Sequence, residues 1–368
     1  MTNPLFKPFS CRGLNIPNRV VMAPMTRSFS PNGVPGDNVA EYYTRRAAAD
    51  VGLILTEGTM IDCEGAANDA NYPLFHGEKP LAGWKNVCEK VHAADGKMAP
   101  QIWHVGMVRK PGTGHFPDAP SDSPSGLTHT GKQISEAPST TDVEDMVASY
   151  ARAAGNAARL GFDAVEIHGA HGYLIDQFFW DVMNKREDKY GGDLVARATF
   201  AGEIIAECRK AMDNNGGADT PIILRFSQWK QQDYTARLAE TPEELGAFLQ
   251  VFADAGVDIL HCSQRRYQEP EFEGSDLNLA GWAKKLTGLP TITVGSVGLS
   301  SDFFGAFVGQ GSAASSLDDL YERMDKGEFD MVAIGRALLQ DPNWVTKVKE
   351  DRMDELMDYD AAALATLS

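Results

Sequence analysis

The sequence predicts an α/β chain folded as a closed (β/α)8 TIM barrel, and three observations predict it. Apolar, β-rich runs alternate with helix-periodic segments along the chain, the order that parallel strands joined by crossover helices impose. Eight such pairs can be laid out, and each strand candidate has its own following helix, so no edge strand is left over as an open sheet would require. Polar side chains collect at the C-terminal ends of the strand candidates, where such barrels build their sites. With 368 residues and 43% hydrophobic content, one barrel domain spanning 1–368 with insertions is expected.

Taken in order, Leu5 to Asn18 holds Gly13, Pro17 and a turn-like Gly-Leu-Asn between short apolar pieces, and reads as a hairpin covering the barrel's N-terminal end. The strand candidates are Arg19 to Met25, Val51 to Met60, Lys97 to His104, Asp163 to Gly169, Pro221 to Ser227, Val257 to Ser263, Leu289 to Ser296 and Met331 to Leu338. The helix candidates are Asn38 to Ala49, Lys79 to Ala94, Thr141 to Leu160, Arg197 to Met212, Thr241 to Ala255, Leu277 to Leu286, Ser316 to Lys326 and Asp341 to Glu350. Thr241-Pro242-Glu243-Glu244 carries an N-cap, a proline at the first helical position and a carboxylate at the capping-box position. Gly106 to Ser139, rich in Pro, Gly and Ser, is a long insertion after strand three at the C-terminal face. Loops of that length are lids over a site or mobile surface loops, and both readings stand.

Composition narrows the function. Thirty-four basic against 51 acidic residues leave a net charge of −17, which repels nucleic acid and anionic membranes, so any bound phosphate must be held locally. The start, MTNPLFKPFS, lacks a basic segment followed by an apolar one, and no run reaches the roughly 18 apolar residues of a membrane span. A soluble cytoplasmic protein is expected. The five cysteines are scattered without a CxxC pair, so neither zinc nor an iron–sulfur cluster is expected.

The chemistry should lie at the strand ends. His168 and His171 follow strand four around Gly169 and Ala170, with no third ligand nearby. They read as metal ligands, as donors to one substrate oxygen, or as structural hydrogen-bonding groups. After strands seven and eight, Gly295-Ser296 and Gly335-Arg336 offer backbone N–H groups and an arginine to a phosphate, or simply permit tight turns. Arg225 interrupts an otherwise apolar strand, and a buried guanidinium needs a negative partner, which the ring of an anionic cofactor would supply.

At these residues the chain resembles the Old Yellow Enzyme family. Val21-Met22-Ala23-Pro24-Met25-Thr26-Arg27, Gln101-Ile102-Trp103-His104-Val105-Gly106, His168-Gly169-Ala170-His171-Gly172-Tyr173-Leu174 and Asn184 to Arg197 look like its motifs in its order, from the hairpin to about Trp344. The resemblance implies noncovalent FMN. Pro24, Met25 and Thr26 would lie beneath the ring, Gly58 would let it approach the backbone, and Gln101 and Arg225 would face its pyrimidine edge. Gly295, Ser296, Gly335 and Arg336 would clamp the phosphate. His168 and His171 would bind the activating oxygen of the substrate, and Tyr173 would protonate its α-carbon. Trp103 and Asn68 would line the substrate pocket. Many relatives have a tyrosine where this chain has Asn68, and Tyr72 is nearby but out of register.

The implied activity is that of an ene-reductase, in a ping-pong cycle. Hydride passes from NAD(P)H via flavin N5 to the β-carbon of an α,β-unsaturated carbonyl or nitro compound. A flavin-dependent dehydrogenase or oxidative demethylase, or a non-catalytic flavin-binding redox sensor, are the alternatives on the same scaffold. With a short helix and tail beyond strand eight and without a cysteine cluster, electron transfer through an iron–sulfur centre is not expected. Patterning reveals neither the oligomeric state nor the choice between NADH and NADPH. Arg265 and Arg266, in the loop after strand six, either bind a substrate carboxylate or nicotinamide phosphate, or pair with Glu269, Glu271 and Glu273.

Overall fold

The structure, a computed structural model, describes residues 3–302 and 304–368. The chain begins with an antiparallel hairpin, β1 (Phe9–Cys11) and β2 (Leu14–Ile16), in the segment where the sequence predicts one. Eight parallel strands follow: β3 (Val20–Met22), β4 (Leu53–Met60), β5 (Met98–Trp103), β6 (Val165–His171), β7 (Ile222–Lys230), β8 (Ile259–Ser263), β9 (Thr291–Val294) and β10 (Met331–Ile334). They pair in chain order, and β10 closes the barrel on β3.

Two apolar clusters show how the strands divide their faces. Val21, Leu53, Leu55, Ala99, Ala164, Ile223, Ile259, Ile292 and Met331 fill the barrel with Phe9, Leu14 and Ile16 of the hairpin, which plugs the N-terminal end. Alternate residues such as Ile54, Met98, Val165, Ile222 and Leu260 instead pack outward with the helices. Strands buried on both faces read as continuous apolar runs, which is why they are prominent in the sequence.

The elements depart from the expected boundaries where local signals are ambiguous. The first strand stops at Met22 rather than Met25, and beyond it Ala23 N–H still donates to Ile334 O. The last strand stops at Ile334 and a short helix, Arg336–Gln340, occupies what the apolar run suggested was still strand. An apolar run alone does not distinguish the two. β7 continues past Ser227 to Lys230. The helix expected from Arg197 divides into Leu194–Arg197 and Thr199–Asp213. Thr241 caps its helix as expected by accepting from Glu244 N–H, but the Glu244 carboxylate accepts from Glu240 N–H instead of completing a capping box.

The insertion at 106–139 has little regular structure. It is organised on buried Arg109, whose guanidinium donates to the carbonyls of Thr113, Phe116, Pro117 and Ala119. Among the described residues no helix is long and apolar enough to cross a membrane.

Candidate active site

The period-two alternation of the strands builds the site in layers. On β5, Ala99 is followed two residues later by Gln101 and then Trp103; Ala164, just before β6, by Glu166 and His168 on it; on β7, Ile223 by Arg225; on β8, Ile259 by His261 and Ser263. Each series runs from the apolar plug toward the C-terminal end, and successive residues of one parity share a face. Register aligns the polar members: Gln101 lies opposite Glu166, His168 opposite Arg225, and Arg225 opposite His261. A shift between Gly169 and His171 then re-aims the end of β6, with His171 at φ 65°.

Of these residues, Gln101, Trp103, His168, His171, Arg225 and Ser263 line a cavity of about 410 Å³ at the C-terminal end of the barrel. The rings of His168 and His171 meet edge to face with centroids 5.3 Å apart, and Tyr173 stands 5.1 Å from His168 and 4.7 Å from Trp103. Burial, and then the charge of Arg225, hold both imidazoles well below the usual histidine range, so both are neutral. Nδ1 of His168 accepts from the Ala170 N–H at 3.3 Å, which puts the ring proton on Nε2. Burial raises the Tyr173 pKa, and Gln231 Nε2 donates to its oxygen at 3.3 Å. The phenol therefore keeps its proton and can give it elsewhere.

The middle layer presents a complementary edge. Glu166 accepts from Gln101 Nε2 at 2.7 Å through one oxygen and contacts His261 Nδ1 at 2.6 Å through the other, all three groups being buried. With one amide N–H so engaged, Gln101 keeps its other N–H and its carbonyl oxygen to offer. Nε of buried Arg225 has no hydrogen-bond partner. An orphaned buried guanidinium nitrogen is costly, and a flat group carrying acceptors and negative charge would satisfy it.

Pro24, Met25 and Thr26 form another part of the same wall, and Gly295, Ser296, Gly335 and Arg336 lie along the cavity too. Gly295 has φ 151°, and a Cβ there would lie 2.7 Å from Gln264 O, so this close approach admits only glycine. The donor set, the orphaned Arg225 nitrogen and this cradle fit FMN, whose ring Gln101 and Arg225 would meet and whose phosphate the two glycine segments would face, beside Arg336, which donates to the carbonyls of Ser301 and Asp302.

Several expected residues are placed differently. Gly58 does not line the cavity; a Cβ on it would fall 2.2 Å from Trp103 Cε3, so its smallness makes room for the tryptophan. Asn68 is a loop anchor: it donates to Val108 O and accepts from Lys110 N–H. Tyr72 lines the cavity instead, its ring 5.6 Å from that of Trp103, because the chain turns back between Asn68 and Tyr72. Arg265 reaches the cavity but pairs with Asp302 of the loop after β9 and lies 4.7 Å over the Phe304 ring. Arg266 donates to Ser300 O and does not line the cavity. Neither pairs with the nearby glutamates, and Glu271 points inward to Arg237 and Gln228. No residue of 106–139 lines this cavity.

Other lining residues carried no signal in the sequence analysis: Trp229, Gln231, Ser263, Tyr359 and Leu364. The last two arrive on the C-terminal tail, which Arg27 ties down by donating to the carbonyls of Ala363, Leu364 and Thr366. Only the run of β7 to Lys230 could have signalled Trp229, since Phe226 to Lys230 continues the strand's buried pattern.

A family model described as the NADH:flavin oxidoreductase / NADH oxidase family matches residues 4–355. The chain is 34% identical over 363 residues to an NADH oxidase of Thermoanaerobacter brockii, covering 96% of this chain and 52% of that protein. It thus spans about half the length of that relative. It is 30% identical over 365 residues to 12-oxophytodienoate reductase 7 of Oryza sativa subsp. japonica, covering 94% of this chain and 88% of the relative. Among solved structures, morphinone reductase in complex with tetrahydroNAD matches with a TM-score of 0.80 over 98% of this chain and 93% of that one, at 27% identity.

Proposed function

The chain belongs to the NADH:flavin oxidoreductase / NADH oxidase family, that of the Old Yellow Enzymes, with FMN as cofactor and a reduced nicotinamide as electron donor, and on that premise we propose that it is an ene-reductase acting on α,β-unsaturated carbonyl or nitro compounds. The observation that carries the proposal is the convergence of His168, His171 and Tyr173 on the cavity that also holds Gln101 and Arg225. When bound, the flavin supplies hydride accepted from NAD(P)H and delivered to the β-carbon of the alkene.

The residues then have separate tasks. His168 donates from Nε2 to the carbonyl or nitro oxygen, and His171 is the second donor to the same oxygen. Neutral imidazoles suit this, because they stabilise charge that develops on the oxygen without pairing beforehand with an anion. Tyr173, kept protonated by burial, gives its proton to the α-carbon. Trp103 and Tyr72 enclose the alkene with apolar surface, and Arg225 stabilises negative charge on the reduced ring.

The test is anaerobic mixing of the photoreduced holoenzyme with 2-cyclohexenone. Rapid flavin reoxidation with formation of cyclohexanone is expected. A flavin that stays reduced with the enone yet is reoxidised by other acceptors would leave a dehydrogenase or a redox sensor in its place.

A further inference from the structure

Ser263 ends β8 with its hydroxyl buried between two site residues. Its Oγ lies 2.8 Å from His171 Nε2 and 3.5 Å from Arg225 Nη2. A serine hydroxyl has one proton to donate and two lone pairs, whereas a guanidinium only donates. Arg225 can therefore only donate to Oγ, and the hydroxyl proton needs an acceptor elsewhere. Among the described residues the acceptor recorded within hydrogen-bond distance of Oγ is His171 Nε2.

We infer that Ser263 is a positioning residue, which donates to His171 Nε2 and so holds that imidazole in its Nδ1–H tautomer, the form that leaves a donor for an oxygen in the cavity. The opposite tautomer would leave the buried hydroxyl proton unsatisfied and present a lone pair to the substrate oxygen. A neutral ring is required, and burial together with Arg225 keeps His171 neutral.

The surroundings hold the ring against reorientation. The His171 backbone N–H donates to Ser227 Oγ at 3.0 Å, and that hydroxyl donates to Trp229 O at 2.7 Å. Trp229 covers the imidazole at 4.7 Å with planes inclined 32°, and its indole N–H donates to Ser263 O at 3.1 Å. Ser263 thus fastens both the ring nitrogen and the tryptophan that packs on it. His168 carries its proton on the other nitrogen, Nε2, because Nδ1 accepts from the Ala170 N–H. The two imidazoles are held as opposite tautomers, each with one N–H free to donate.

The tautomer rests on the hydrogen-bond geometry of a neutral ring; its use toward a substrate oxygen rests on the function proposed above. The experiment is multiple-bond ¹H–¹⁵N correlation spectroscopy of holoenzyme labelled at histidine, with His171 assigned by its loss in His171→Asn, alongside phenol titration of the same samples. Wild type should show His171 protonated on Nδ1 only. Ser263→Ala should populate the Nε2–H form and weaken phenol about tenfold, the loss of one hydrogen bond. Ser263→Thr, which keeps the hydroxyl, should restore both. Protonation of Nε2 in wild type, or an unchanged tautomer in Ser263→Ala, overturns the inference. A tautomer that responds as expected while phenol affinity does not move upholds the role of Ser263 and counts against the oxygen site. Should Ser263→Ala fail to hold FMN, the wild-type and Ser263→Thr spectra decide the tautomer.

Discussion

Replacing Glu57 by Gln removes a charge that the fold buries. Glu57 lies on β4, 1% exposed, and one of its oxygens accepts the backbone N–H groups of Arg27 at 2.8 Å and Ser28 at 3.2 Å. It thereby pins the turn that follows Pro24, Met25 and Thr26. Burial outweighs these bonds and the charge of Arg27, and raises the carboxyl from 4.5 to about 7. A group whose folded pKa is raised binds its proton more tightly in the native state. Its favourable contribution is complete below pH 4.5, declines as pH rises, and is gone above about 7. That interval corresponds to about 3 kcal/mol between the protonated and ionised limits, of which about 2 kcal/mol falls between pH 5.5 and 8.0. Glu57→Gln keeps an acceptor for the two N–H groups and does not titrate. Its stability relative to wild type should therefore rise by about 2 kcal/mol from pH 5.5 to pH 8.0. The assay is urea denaturation of both holoenzymes at equal free FMN, followed by circular dichroism and fluorescence together so that a single transition is verified. An equal stability difference at the two pH values would refute a protonated Glu57.

Three further outcomes are expected. Tyr173→Phe should slow the oxidative half-reaction with 2-cyclohexenone about 100-fold in stopped flow while leaving flavin reduction by nicotinamide nearly unchanged; equal losses in both halves would remove Tyr173 as proton donor. His168→Ala and His171→Ala should each cost about 2 to 4 kcal/mol in kcat/KM for enones and weaken phenol binding, and an unaltered phenol affinity in both would contradict the oxygen site. Gly58→Ala drives a methyl into Trp103, so it should lower stability by about 1 to 3 kcal/mol and raise the KM for enones while FMN affinity holds; loss of FMN with an unchanged KM would return Gly58 to the cofactor.

The barrel was legible because its signals are local and repeated. A strand buried on two faces must be apolar along its length, and a crossover helix must show its own period, so eight alternations announce themselves in one dimension. The candidate site was legible for a related reason: Arg225, His168 and His171, which line the cavity, are polar residues in apolar strands, where burial is expensive unless it is compensated. Strand ends were less readable, since Met331 to Leu338 is apolar but for Gly335 and Arg336, and apolar residues lie both in the strand that ends at Ile334 and in the helix that starts at Arg336.

What the amino-acid order determined by itself, then, is the barrel, the end of it that carries the site, and the polar residues on its strands. What only the tertiary structure decided is which neighbours each of them meets. Gly58 serves Trp103, Tyr72 takes the place expected of Asn68, Arg265 finds Asp302 instead of a nearby glutamate, and the tail brings Tyr359 and Leu364 to a cavity built more than 300 residues earlier at Pro24. The physical reason is that burial and periodicity act along the chain, whereas contacts made by loops and by the tail depend on closure of the whole barrel and leave no periodic trace in the sequence.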